Sequence, residues 1–356
     1  MTPFAFIIHP IDARRDVARK YPIARYLPMP VIEWFLKKKG AMVLSEITGI
    51  ETPDGRKTQG WFIGCPLTPK MMLELPLEFV YGKILECCEL AEKQGAKIIG
   101  LGAFTAVVGD GGITIAKRSP IAVTTGNSYT VATAIEGALK AAEILEVELG
   151  NATLAIVGAT GSIGRTCALI LAPKFLRTFL VGRDLDRTQK IADEIGQKAE
   201  ATTDISCLTV ADLIITVTSS DAAVILPEHL KSGAIVCDVA RPRDVSVRVA
   251  KERDDVFVLE GGVVEVPGDV NFNFGFGFPP KTAYACMSET MMLALEDRPE
   301  AFTLGKDVSP EQVVETWEMA KRTGFKLAGF RSFEKAVTPE MIEKVKSAIQ
   351  RKMAVA

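Results

Sequence analysis

The stretch that most restricts the fold is 151–173, where the run TLAIVG turns through ATGSIG into GRTCALILA. An apolar strand-like run, a turn with glycines at 158, 161 and 164, and a helical apolar spacing stopped by Pro173 make one strand–turn–helix unit. Further strand-like runs follow at TFLVG (178–182), DLIITVT (212–218), AIVCDVA (234–240) and VFVLEGG (256–262), with a helical segment, DLDRTQKIADEIGQ (184–197), between the first two. Alternation of this kind predicts an α/β fold, a Rossmann-type doubly wound parallel sheet, over 151–270. At 356 residues the chain is too long for one ordinary core. A second α/β lobe, for substrate, is therefore expected from 1–150, with 271–356 a C-terminal helical segment packing against it.

That first lobe reads as mixed. Helical patterns occur at DARRDVARKY and EFVYGKILECCELAEKQGAK, and IIGLGAFTAVVGDGG reads as a strand running into a glycine-rich loop. TTGNS then heads a long Ala-rich helix that ends at Gly150 and links the lobes. In the amphipathic tail, Ser309 and Pro310 resemble an N-cap and a first helical position.

Composition removes several classes of function. A formal net charge of −2 provides no general field for a nucleic-acid backbone, so no nucleic-acid partner is expected. No stretch is apolar for the roughly 20 residues a spanning helix needs, and the start lacks a basic, cleavable leader, so a cytoplasmic location and no transmembrane segment are expected. Seven dispersed cysteines without a Cys-x-x-Cys pair, and histidines only at 9 and 229, predict free thiols and no structural zinc.

The glycine turn has the context of a dinucleotide site. One glycine permits the tight turn, another lets backbone N–H groups approach a pyrophosphate, and a third allows close helix–strand packing. Gly158, Gly161 and Gly164, with Thr160, Ser162 and Ile163 between them and Thr218 at the end of the run 212–218, are the cofactor-binding candidates. About 19 residues past Gly164, where an acid would meet the ribose hydroxyls of NAD, the chain has Arg183, with Arg187 close behind. A guanidinium suits a 2′-phosphate, so NADPH is the expected cofactor. Asp184 is placed to cap the next helix, which is compatible with that role.

Residues 281–292 read KTAYACMSETMM and head a helical pattern. Cys286 has two readings here. A helix N-terminus with Lys281 nearby would lower a thiol pKa and make a nucleophile, whereas free cysteines are among the most buried residue types. On helical spacing Ala283, Met287, Met291 and Leu295 form an apolar stripe with Cys286 at its edge.

FAFIIHPIDARRDVARK, IGLGAFTAVV, TTGNSYTVA, VGATGSIG, LEGGVVEV and AYACMSETMMLALE occur in that order along the chain. In these stretches it resembles the cyanobacterial-type long-chain acyl-[acyl carrier protein] reductases. Met287 and Ser288 depart from the pattern, and the likeness thins after about residue 300. The resemblance implies NADPH-dependent reduction of a fatty acyl thioester to an aldehyde, with Cys286 as the acyl-carrying nucleophile and acyl carrier protein or acyl-CoA as donor. A downstream aldehyde-consuming enzyme is an implied partner. Oxyanion donors are expected from the segment Thr125, Gly126, Asn127 and Ser128, for which simple helix capping is the alternative. His9 and Glu265, inside matched stretches, are candidates for proton handling. PLTPKMMLELPLEF (66–79) and NFNFGFGF (271–278) offer apolar side chains either to an acyl tunnel or to ordinary core, and Arg14, Arg15, Arg19, Lys20 and Lys37 to Lys39 offer charge to an acidic carrier or to solvent. Two other readings stay open: a shikimate- or amino-acid-dehydrogenase-like NADP oxidoreductase acting on a small polar substrate, and a non-catalytic NADP(H)-sensing module.

Overall fold

The computed structural model describes residues 1–220, 222–240, 242–275, 279–305 and 307–353, with only the backbone given for Arg19, Lys20 and residues 352–353. Part of the apolar run 271–278, read as acyl tunnel or ordinary core, thus lies outside the described residues. The chain divides into two compact units: Met1–Gly126 with Glu265–Lys306 and Glu318–Lys326, and Asn127–Val264 with Asp307–Trp317 and Leu327–Ala356.

The first unit is built on a six-stranded mixed sheet. Its strands β1 (Phe4–Ile8), β2 (Met42–Glu51), β3 (Lys57–Gly64), β4 (Ile98–Gly100) and β5 (Ala122–Thr124) lie in the order β2, β3, β1, β4, β5, with Gly268–Asn271 added outside β2. β1 runs parallel to β3 and β4, and β4 parallel to β5, while β2 and Gly268–Asn271 are antiparallel additions. The parallel strands are covered on both faces, as such strands must be. The helix Leu77–Lys93 buries Val80, Ile84, Cys87, Cys88 and Ala91. The helix Ala285–Leu295 packs against β1, β3 and β4, and its close approach depends on Gly100, where a Cβ would lie 2.2 Å from Thr290 Oγ1.

The second unit is the predicted parallel sheet. Its strands are β6 (Thr153–Val157), β7 (Arg177–Val181), β8 (Ala199–Thr202), β9 (Leu213–Thr216), β10 (Ile235–Asp238) and β11 (Phe257–Glu260). They are ordered β8, β7, β6, β9, β10, β11, all parallel, which is the doubly wound order with its reversal between β6 and β9. Every residue of β9, β10 and β11 is buried, as expected for strands covered on both faces.

The units divide at Gly126/Asn127 and Val264/Glu265, whereas the sequence places boundaries at 150 and 270. The reason lies in the Ala-rich helix, Asn127–Ile144. It packs against β9 and β10, with Ala134 O accepting from Cys237 Sγ at 3.7 Å, so it is a layer of that unit and not a linker. The tail is also divided: the helix carrying Cys286 belongs to the first unit, and Leu327–Ala356 to the second. Ser309 and Pro310 do start the helix Pro310–Thr323, with Ser309 Oγ accepting from Gln312 N at 3.2 Å and Ser309 N donating to Gln312 Oε1 at 3.1 Å.

Ile156 is fully buried on β6, the strand at the sheet's reversal. Ile156→Ala is expected to destabilise the protein by about 2–5 kcal/mol, whereas Leu176→Ala, at a largely exposed site, should stay within about 0.5 kcal/mol. Urea unfolding followed by circular dichroism checks both.

Candidate active site

The glycine loop follows β6. Gly158 has φ +86°, and a Cβ there would meet Val217 O at 2.8 Å, while one on Gly164 would meet Gly158 O at 2.4 Å. Neither position tolerates a side chain without backbone movement. Gly158 N and Ala159 N donate to Val181 O at 2.9 and 3.2 Å, pinning the turn to the end of β7. Gly161 is the N-cap of the helix Ser162–Leu171 and supplies no side-chain cap, so Ser162, Ile163 and Gly164 form a first turn whose amides have no intrahelical acceptor. A backbone cradle at an uncapped helix N-terminus suits a pyrophosphate, so these residues fit the dinucleotide.

The remaining cofactor candidates divide by role. Arg183 and Arg187 are exposed, and Arg187 N donates to Asp184 Oδ1 at 3.0 Å, so Asp184 caps the helix Leu185–Ile195 as expected. Thr160 lies against Gly182, where a Cβ would fall 3.3 Å from Thr160 Cγ2. Thr218 turns inward: its amide donates to Asp244 Oδ2 at 2.8 Å and its hydroxyl to Asp244 Oδ1. Fully buried Asp244, absent from the sequence reading, therefore fixes the loop that walls Gly158.

Cys286 is the second residue of the helix Ala285–Leu295, whose N-cap is Tyr284. Every other residue of that helix is buried. The apolar stripe expected from sequence is in fact an element buried all round, with Cys286 the one position that keeps partial solvent access. Gly126, with φ +75°, lies directly against it: a Cβ on Gly126 would fall 2.3 Å from Cys286 Cα and 2.5 Å from its Cβ. Three residues along, fully buried Glu289 accepts from Thr124 Oγ1 at 2.6 Å. Thr124 Oγ1 accepts from Thr303 N at 3.1 Å, and Thr125 N donates to Thr303 O at 2.9 Å, so the end of β5 is tied in place beside the helix.

The electrostatics correct one expectation. Burial pushes the Cys286 thiol up to about 12, the Met287 amide opposes this and the Glu289 carboxylate adds to it. The residue keeps partial exposure, but the protein mass around its thiol outweighs the helix N-terminus. Lys281 is engaged elsewhere, paired with Asp269 at 3.0 Å.

The other candidates sit as follows. His9 Nδ1 faces Pro10 O at 3.2 Å and Nε2 accepts from Phe104 N at 3.3 Å, so the proton is on Nδ1 and both ring nitrogens are engaged. Burial lowers its pKa, and it holds the turn after β1 as a neutral ring. Glu265 is exposed and paired with Lys326 at 3.3 Å. Asn127 Nδ2 donates to Ser162 Oγ at 3.2 Å, which puts Asn127 at the dinucleotide loop, and Ser128 is fully buried on the same helix. No group of three or more His, Cys, Asp or Glu able to hold a metal occurs among the described residues. No helix among them is long and apolar enough to cross a membrane.

Residues 139–260 match the family described as shikimate / quinate 5-dehydrogenase. The chain is similar to a long-chain acyl-[acyl-carrier-protein] reductase from Synechococcus elongatus, at 26% identity over 88% of this chain and 95% of that one. It is also similar to the aminotransferase PigE of a Serratia species, at 27% identity over 83% of this chain. It spans only 36% of that protein's length. Among solved structures, L-tryptophan dehydrogenase from Nostoc punctiforme aligns over 100% of this chain and 89% of its own, at 13% identity and a TM-score of 0.39. The doubly wound sheet, the glycine cradle and the match over 139–260 together show an NADP(H)-binding Rossmann domain in this chain.

Gly164→Ala should weaken NADPH binding by about tenfold or more, because the new Cβ displaces the cradle, while Gly150→Ala, which meets nothing within 4 Å, should leave it unchanged. Fluorescence titration of NADPH reads this. Alkylation of Cys286 by iodoacetamide should rise about tenfold per pH unit at least up to pH 10, since the thiolate remains a minor species below about 12. Mass mapping of the labelled cysteine across that range checks it, and a plateau near pH 7 is the contrary outcome.

Proposed function

We propose that this protein reduces a long-chain fatty acyl thioester to the aldehyde, with Cys286 as the acyl-carrying nucleophile. The observation that carries the reading is that Cys286 alone has solvent access in an otherwise buried helix, with the Gly126 backbone held against it. A cysteine needed only for packing has no reason to be the open position. The similarity to an acyl-[acyl-carrier-protein] reductase over most of both chains supports the same substrate class and makes acyl carrier protein the favoured donor, with acyl-CoA the other candidate.

The Cys286 sulfur bonds to the acyl carbon, the donor's C–S bond breaks, and the thiol proton leaves with the donor as its free thiol. The amides of Cys286 and Met287, in the first turn of the helix Ala285–Leu295, are the nearest backbone donors for the oxyanion that develops on that carbon. Gly158, Gly161, Gly164 and the first-turn amides of the helix Ser162–Leu171 hold the pyrophosphate, with Arg183 and Arg187 reaching the 2′-phosphate. Bound NADPH supplies the hydride. Aldehyde release breaks the S–C bond, and with one proton from solvent Cys286 returns as the thiol. Keeping that thiol neutral until a thioester arrives protects it from unproductive oxidation.

The test is intact-protein mass spectrometry after incubation with a long-chain acyl thioester but no nucleotide. The wild-type chain should gain one acyl mass and lose it when NADPH is added, and Cys286→Ala should gain none. No adduct from either donor overturns the reading in favour of a dehydrogenase without a covalent step. Arg183→Glu should raise KM for NADPH by about 10–100-fold and leave KM for NADH nearly unchanged, as expected for loss of a charge-assisted phosphate contact.

A further inference from the structure

In a chain of net charge −2, residues 11–39 carry eight Lys and Arg against three Asp and Glu. They fold as the helix Ala13–Lys20, the 3₁₀ turn Pro22–Tyr26 and the helix Met29–Lys38. The last of these buries only Ile32 and Leu36 and turns Val31, Trp34 and Phe35 outward. Trp34 is 62% exposed, Tyr26 85% and Ile23 67%. The next helix, Pro69–Glu74, reaches this one through Lys70 and Glu33 at 4.0 Å and adds Leu73, 69% exposed. On the charged side, Arg14, Arg15 and Arg25 line an open groove of about 610 Å³ together with Asp12. Arg14 donates to Leu27 O at 3.3 Å and Arg15 pairs with Asp16 at 3.1 Å, so both guanidinia are held at the groove.

Large aromatic and aliphatic side chains standing in water cost free energy, and Ile23, Tyr26, Val31, Trp34 and Phe35 all do so within one short, cation-rich segment, which marks a surface that meets something else. Trp and Tyr beside Lys and Arg on short amphipathic helices is the pattern of an element lying in the headgroup region of a bilayer, with rings at the acyl boundary and cations on lipid phosphates. We infer that the face formed by residues 11–39, extended by Leu73, docks this protein onto an anionic membrane surface. The inference is independent of the reaction assigned to Cys286. An acidic protein would complement the charges but would leave the outward-standing Tyr26, Ile23 and Trp34 without an apolar bed.

The test is co-sedimentation of the full chain with vesicles of equal parts phosphatidylglycerol and phosphatidylcholine, and with phosphatidylcholine alone. Binding should occur to the first only and weaken as salt is raised. The double variant Tyr26→Ser/Trp34→Ser and the double variant Arg25→Glu/Lys38→Glu should each lose about tenfold in vesicle affinity, with circular dichroism and NADPH binding unchanged to show that they fold. Tryptophan emission should shift to the blue on vesicles in the wild type and much less in Trp34→Phe. A chain that stays in the supernatant, that sediments without vesicles as a self-associated species, or whose vesicle binding ignores both double variants overturns the inference. So does binding of an acidic carrier protein, with no vesicle binding, that both double variants abolish.

Discussion

A Cβ on Gly126 would stand 2.3 Å from Cys286 Cα, and the arrangement around the thiol follows from that missing atom. Because Gly126 adopts φ +75° without steric cost, β5 can end against the first turn of the helix Ala285–Leu295. Gly100 repeats the device one strand over, where a Cβ would strike Thr290 Oγ1 and the Phe6 ring. The helix consequently lies close to its sheet along its length, and nearly every one of its side chains is removed from water. Cys286 is the one residue of the helix that keeps partial exposure, on an element too tightly packed to swing it away.

That packing decides the chemistry of the thiol. A helix N-terminus typically favours an anion by about 0.3–1 kcal/mol, whereas a thiol moved from near 9.0 to about 12 has lost on the order of 4 kcal/mol of preference for its charged form. Desolvation therefore wins, and Glu289, buried one turn along the helix, works in the same direction. Such a cysteine is quiet in the free protein, and any attack by its sulfur would require bond formation and proton loss to proceed together.

Local order was easier to see in the sequence than spatial neighbours. The runs TLAIVG, TFLVG, DLIITVT, AIVCDVA and VFVLEGG became β6, β7, β9, β10 and β11 because strands buried on both faces write an apolar run directly into the chain. β2 left no such trace, since most of its residues are half-exposed or exposed. The boundary at Gly126 was hidden for another reason. The helix Asn127–Ile144 is rich in alanine, and alanine spacing does not show which sheet it will lie on. The contact between Gly126 and Cys286 joins residues far apart in sequence, so no local periodicity reports it. A glycine before a helix reads as a turn residue, and its need for closeness emerges only when the partner is in place.

Thr218 shows how a position picked for one role serves the site by another route. Its hydroxyl and amide, with the hydroxyl of Thr216, are committed to the fully buried carboxylate of Asp244. Asp238 on β10 in turn accepts from the amides of Ala240 and Val245 at 3.1 and 3.0 Å, so two buried acids are held by backbone and hydroxyl donors at the carboxyl ends of β9 and β10. A buried carboxylate with fewer donors would cost several kcal/mol, which makes this loop geometry hard to deform. Val217 O and Thr218 N form the wall against which Gly158 packs, so the shape of the phosphate cradle is set from behind by Asp244 as well as by the glycines in front. Rigid support of this kind is what lets backbone amides bind an anion without paying for their own ordering at the moment of contact.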